Sequence, residues 1–214
     1  MEDRTVTVAS GGTRATFRSV WTEAHLTLSH PAQAEPVLRS WLEPRAMRLA
    51  CIELAQGAFP RQIMLTARLT GRPDDAIRDA HAIRGALAPL GIDVSRIKLE
   101  VAHTASSTLD PALYIEHHVK VRTAVEGVPA LERLGAAHGA HLSRNPLTRR
   151  AGVEERFLTQ RFPPHAPDAA ERGLGALLAA LRAASVTVAK IERERVVHDD
   201  NLALDAGWRP ELAP

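Results

Sequence analysis

Apolar and polar residues alternate along "AHLTLS" (24–29), "RLACIEL" (48–54), "QIMLTARL" (62–69) and "RIKLEV" (96–101), the two-residue period of half-buried strands. Between them, "AEPVLRSWLEPRA" and "RPDDAIRDAHAIRGALAPLG" have helical spacing, with Pro36 and Pro73 tolerated in first turns and Gly91 suited to an end. Gly57 and Pro60 mark a turn between the second and third strands. The second half of the chain gives the same series: strand "YIEHHVKVRT", helix "VPALERLGAAHG", strands "AHLSRN" and "ERFLTQRF", helix "APDAAERGLGALLAALRAAS" and strand "TVAKIERERVV".

The two series share one register. Glu23 and Glu116, His25 and His118, Thr66 and Thr159, and Arg68 and Arg161 are each 93 residues apart, and Glu100 and Glu194 are 94 apart. Matches in one register point to internal duplication. The pattern predicts an α+β chain of tandem ferredoxin-like βαββαβ halves, each an open antiparallel sheet, related by a pseudo-two-fold axis. The halves span residues 16–105 and 106–208, after a frayed stretch 1–15 and before a tail 209–214.

Parity then sorts the side chains. If Leu26, Leu28, Val119 and Val121 lie under helices, the opposite face carries Glu23, His25, Thr27, Thr66, Arg68, Lys98 and Glu100 in one half. In the other it carries Glu116, His118, Lys120, Thr159, Arg161, Glu192 and Glu194. Open faces packed towards each other would bring both sets into one cleft. Burying so many charges is costly unless they pair or hold a ligand, so a ligand-binding cleft is the expectation.

Bulk properties narrow the class. An apolar fraction of 45% suffices for a core. Net charge of +2 and 4% aromatic residues give nucleic acid neither a basic field nor stacking platforms. The single cysteine, Cys51, sits in an apolar strand run and reads as a core thiol. With no run of membrane-spanning length and no signal pattern, the expected location is the cytoplasm. Self-association is compatible with this reading.

Three functions fit the cleft. The first is acid–base chemistry on a small anionic, phosphorylated molecule, without a cofactor. His25 and His118, flanked by Glu23 and Glu116, would move protons. Arg68, Arg161, Lys98 and Lys120 would hold the anion with Thr27, Thr66 and Thr159. "HLTL" (His25–Leu28) resembles the His-x-Thr/Ser-x motif of the two-histidine (LigT-like) phosphoesterase superfamily, which is bilobed and internally duplicated. The resemblance covers about residues 20–90 and implies metal-free action on 2′,3′-cyclic phosphates or related bonds. The duplicated copy here is "HVKV", with Lys120 at the Thr/Ser position. "HLSR" (His141, Ser143, Arg144) fits the motif on a non-equivalent strand and opens the basic loop "HLSRNPLTRR", a further candidate for anion contact.

The second function is a site for one divalent transition metal, with His25, Glu100, His118 and Glu194 as a two-fold ligand set. This set is similar to that of the vicinal oxygen chelate superfamily, whose ligands come from the first and last strands of paired modules. Those modules are βαβββ, whereas a helix precedes "RIKLEV" here. The third is a non-catalytic ligand-binding or regulatory module, since the fold alone carries no activity.

Overall fold

The computed structural model describes residues 21–29, 35–103, 112–147 and 154–207. The first half runs β1 (Trp21–Ser29), α1 (Glu35–Leu42), β2 (Arg48–Leu54), β3 (Arg61–Thr70), α2 (Pro73–Leu87) and β4 (Asp93–Ala102). The second runs β5 (Tyr114–Thr123), α3 (Val128–Ala137), β6 (His141–Arg144), β7 (Glu154–Phe162), α4 (Pro167–Ala183) and β8 (Thr187–Asp199), followed by a 3-10 turn at Leu202–Asp205. The stretch 1–15, most of the connection 103–113, the end of the basic loop from Thr148 to Arg150, Trp208 and the tail 209–214 lie outside the described residues.

Local chemistry sets the boundaries. α2 starts at Pro73, with Asp74 and Asp75 in its first turn, and Asp75 accepts a hydrogen bond from the Arg72 backbone N–H at 3.2 Å. The chain leaves it at Gly91, whose φ of 72° is left-handed. α4 buries Ala170, Leu174, Leu177 and Leu181, a stripe at spacings of four, three and four.

The expectation of two open sheets facing each other is overturned. The strands close into one eight-stranded barrel in the order β1-β3-β2-β6-β7-β5-β8-β4. The reason lies at the edges. Open sheets would leave unpaired backbone groups on β2 and β4 in the first half and on β6 and β8 in the second. In the barrel β2 pairs with β6 (Glu53 with Arg144, Leu54 with Ser143) and β4 pairs with β8 along Lys98–Ala102. The second seam is self-complementary: Glu100 faces Val196 and Ala102 faces Glu194, the same two positions exchanged between halves 94 residues apart. All neighbouring strands are antiparallel, so β1 and β5, three steps apart through β4 and β8, run in opposite directions.

Closure divides the apolar residues into two cores on the outside of the barrel. Leu26 and Leu28 pack with Leu65, Ile97 and Leu99 beneath α1 and α2, together with Leu38, Ala76, Ala80 and Leu87. Val119 and Val121 pack with Leu142 and Leu158 beneath α3 and α4, together with Leu131, Leu174 and Leu177. Cys51 is buried and free. Among the described residues, no helix is long and apolar enough to cross a membrane. The polar strand faces line the lumen, so the charged residues are in the middle of the molecule.

Candidate functional site in the barrel lumen

The lumen encloses a cavity of about 440 Å³, consistent with an eight-stranded barrel that can hold one small ligand. Its wall includes Glu23, His25, Thr27, Thr66, Lys98, Glu100, Glu116, His118, Ser143, Thr159, Arg161 and Glu194. Apart from Ser143, these are candidates from both duplicated strand sets, and strand register explains how they meet. His25 lies opposite Thr66 and Lys98, and His118 lies opposite Thr159 and Glu192.

The two histidines repeat one arrangement. His25 Nδ1 is hydrogen-bonded to Thr66 Oγ1 at 3.1 Å, and its Nε2 lies 2.8 Å from Glu100 Oε2 and 4.0 Å from Glu23. His118 Nδ1 is hydrogen-bonded to Thr159 Oγ1 at 2.9 Å, and its Nε2 lies 3.3 Å from Glu194 and 3.5 Å from Glu116. A threonine thus fixes one nitrogen of each ring and carboxylates face the other. One oxygen from each of Glu100 and Glu116 and one His118 nitrogen all lie within 4.8 Å of one another.

The charges are balanced locally. Lys98 donates to Glu116 and sits 2.5 Å from Glu100. Arg161 donates to Glu116 at 2.8 Å and to Asp205 at 2.6 Å, while its guanidinium lies 3.8 Å from the centre of the Tyr114 ring. Arg96 donates to Asp199 at 2.5 and 2.9 Å and to Asp205 at 2.8 Å, and the Tyr114 hydroxyl donates to Asp199 at 2.5 Å.

Proton affinities follow from this packing. Burial pulls the His118 pKa down, but hydrogen bonds and charge from Glu116 and Glu194 overcome it and push it up to about 10. His25 is likewise raised: burial opposes, and the Glu100 carboxylate prevails. Burial would raise Glu100 and Glu116, yet Lys98 leads a set of positive neighbours that hold both well below the usual range. Glu194 is raised, first by burial and then by the nearby Glu100 charge. The residue preceding His118 behaves oppositely: His117 points beneath α4, its ring lies 5.6 Å from that of Phe162 at a tilt of 50° and makes no hydrogen bond, and burial lowers it to about 4.

Four candidates are placed elsewhere. Arg68 is exposed and lies over the Trp21 ring at 4.6 Å. Lys120 pairs with Glu155 at 2.7 Å. His141 meets the Gln56 amide at 3.2 Å in an exposed position, and Arg144 donates to Glu53 at 2.6 Å. Ser143 alone of the "HLSR" motif lines the cavity.

Sequence reasoning missed Arg96, Tyr114 and Asp205. A signal existed for two of them. Arg96 has the parity of Lys98, and Tyr114 stands 93 residues after Trp21, so each half carries an aromatic–arginine pair. Asp205, in the turn after β8, has no periodic signal. Asp199 and Asp200, in the same terminal segment, serve within the chain: Asp199 takes Arg96 and Tyr114, and Asp200 accepts the Ile97 backbone N–H at 2.6 Å and Arg84 at 2.6 Å.

No family model matches the chain, and no curated protein matches it. Among solved structures, it is similar to a protein assigned as a monooxygenase from Fusobacterium nucleatum subsp. nucleatum, at 6% identity and a TM-score of 0.35, covering 91% of this chain and 100% of that one. It is also similar to the regulatory subunit of aspartate kinase from Thermus flavus, at 17% identity and a TM-score of 0.32 over 77% and 94% of the two chains. A heme-binding protein from Thermus thermophilus matches at 12% identity and a TM-score of 0.30 over 84% and 92%. Likenesses this distant do not bear on function.

Proposed function

We propose that the lumen is a mononuclear site for a divalent transition metal, and that the protein is a metal-dependent enzyme acting on a small molecule admitted to the barrel. The supporting observation is the convergence of Glu100, Glu116 and His118 donors within 4.8 Å, with His25 bonded to Glu100 and Glu194 facing His118. Imidazole with carboxylate suits zinc, manganese, iron or nickel and leaves positions for substrate. Thr66 and Thr159 orient the rings from behind, as outer partners of ligating histidines do. Lys98 supports the reading from the other side: its ammonium rests on Glu100 and Glu116, where the protein concentrates negative charge. A bound ion would take over that compensation, with Lys98 and the histidine protons giving way to it. Once bound, the metal would supply Lewis-acid activation of a coordinated oxygen. Glu194, whose pKa is raised, is placed to accept or return a proton beside His118.

The test is uptake of cobalt(II) by purified protein, followed by metal analysis and the visible spectrum of the bound ion. The expected result is one equivalent per chain, with binding weakened by at least about tenfold in each of His25→Ala, Glu100→Gln and His118→Ala. Affinity unchanged in all three variants, or no uptake by the parent protein, sinks the proposal.

A second reading draws on the paired His–Thr hydrogen bonds: acid–base chemistry on an anionic substrate, as in the two-histidine phosphoesterases. It ranks lower because Arg96, Lys98 and Arg161 are already engaged by carboxylates. Activity indifferent to chelators and lost in both His→Ala variants would favour this reading.

A further inference from the structure

The lumen has two unlike walls. The continuous half-cylinder β5–β8–β4–β1 carries the charged cluster, including His25, Lys98, Glu100, Glu116, His118 and Glu194. The facing half-cylinder β3–β2–β6–β7 carries Ala50, Ile52, Leu54, Met64 and Phe157 into the same cavity. Four of these five (Ala50, Ile52, Leu54 and Phe157) remain half-buried although they point inward, so they present apolar surface to the cavity rather than filling it. The polar groups on that wall are largely committed, and the buried arginine lining it, Arg161 on β7, is held by Glu116 and Asp205. Thr66 and Thr159 hold the histidines, and Gln62 donates to the Leu204 carbonyl at 3.2 Å. Arg48, mostly in solvent at the rim, faces Glu23 at 3.7 Å.

We infer that the cavity selects a small amphiphile whose oxygen-donor head meets the metal ligands and whose aryl or branched-alkyl body lies against the β3–β2–β6–β7 wall. The inference rests on the metal-site reading and adds to it the class of substrate. A compact polar substrate would leave the apolar wall wetted, whereas an apolar body removes that surface from water. The volume of about 440 Å³ falls in the range of small-molecule pockets, in which mostly apolar lining with a few placed polar groups fixes orientation.

The experiment compares two hydroxamates with the same metal-binding head. Cobalt-loaded protein is titrated calorimetrically with benzohydroxamate and with acetohydroxamate. Benzohydroxamate is expected to bind at least about tenfold more tightly. Phe157→Ser and Ile52→Thr, on different strands of the wall, should each shrink that ratio several-fold while cobalt affinity and acetohydroxamate affinity hold. Two variants are used so that misfolding of one leaves the other as the test. Equal affinities for the two hydroxamates on cobalt-loaded parent protein overturn the inference and leave the metal site standing. A ratio unchanged in both folded variants also overturns it. Failure of cobalt itself to bind removes the metal site, and this inference falls with it.

Discussion

The two halves build the same motif and use it differently. In each, an aromatic residue stands at the start of the first strand and an arginine from the third strand packs on it: Arg68 on Trp21 at 4.6 Å, Arg161 on Tyr114 at 3.8 Å. Opposite each arginine sits a glutamate, Glu23 or Glu116, and next along the same face a histidine held by a threonine. In the first half Arg68 is in solvent, and Glu23 shares a loose 3.7 Å contact with the exposed Arg48. In the second half Arg161 is sealed between Glu116, Asp205 and the tyrosine ring. The strands are not the cause, because their registers agree. Among the described residues, the turn Leu202–Asp205 brings Asp205 over the second motif. The glutamate–arginine pair is therefore sealed in one half and open in the other, while the two histidines stay about equally accessible, at 20% and 22%.

The comparison can be broken most forcefully at the glutamates. Glu116→Ala removes the carboxylate that Lys98 and Arg161 share, leaving them to Glu100 and Asp205, and should cost about 3 kcal/mol, the low end of the range for breaking a buried ion pair. Glu23→Ala should cost under about 1 kcal/mol, as for surface pairs. Urea unfolding of both variants checks this, and equal losses would show that the halves are not differentiated. The arginines give the next contrast. Arg161→Ala is expected to cost roughly 2–4 kcal/mol and Arg68→Ala less than about 1 kcal/mol, read in the same assay.

The threonines should instead behave alike, which sharpens the comparison by locating where the symmetry survives. Thr66→Val and Thr159→Val are each expected to lower cobalt affinity about 10- to 100-fold, the usual effect of losing an outer partner of a ligand. A large loss in one and none in the other would mean that a single histidine binds metal. The smallest effect concerns acid. Burial raises Asp205, but Arg96 and Arg161 outweigh it and hold its carboxyl below the usual range. Unfolded, an aspartate titrates at about 3.9. The Asp205 contribution is therefore complete above that value and drains away as pH falls through the lower native one. Asp205→Asn should lower stability at pH 7 by about 1–2 kcal/mol and flatten the decline below about pH 4, as followed by acid titration of the unfolding midpoint.

Much of this was legible in the residues. Alternation placed Leu26 and Val119 beneath helices and His25 and His118 on the opposite face, because a strand has only two faces. The 93-residue register placed the histidines in equivalent strands. Closure was not legible, since parity says which way a side chain points and nothing about which backbone an edge strand will find. The fates of Arg68 and Arg161 were hidden for a related reason. Both have the same type and register, and one partner that seals Arg161, Asp205, lies about 44 residues beyond it in a segment with no periodicity. Lys120 pointed to the expected side but found Glu155 within reach first, a choice that parity cannot make.

The self-complementary seam between β4 and β8 has a genetic meaning. A barrel closed by two copies of one half needs no linker: two separate identical chains could meet at the same seams. In such a pair every substitution is made twice, so an arginine could not be locked at one end of the barrel and left in solvent at the other. Joining the halves in one chain removes that constraint. Asp205 can then bind the arginine of one copy while its duplicate stays in solvent.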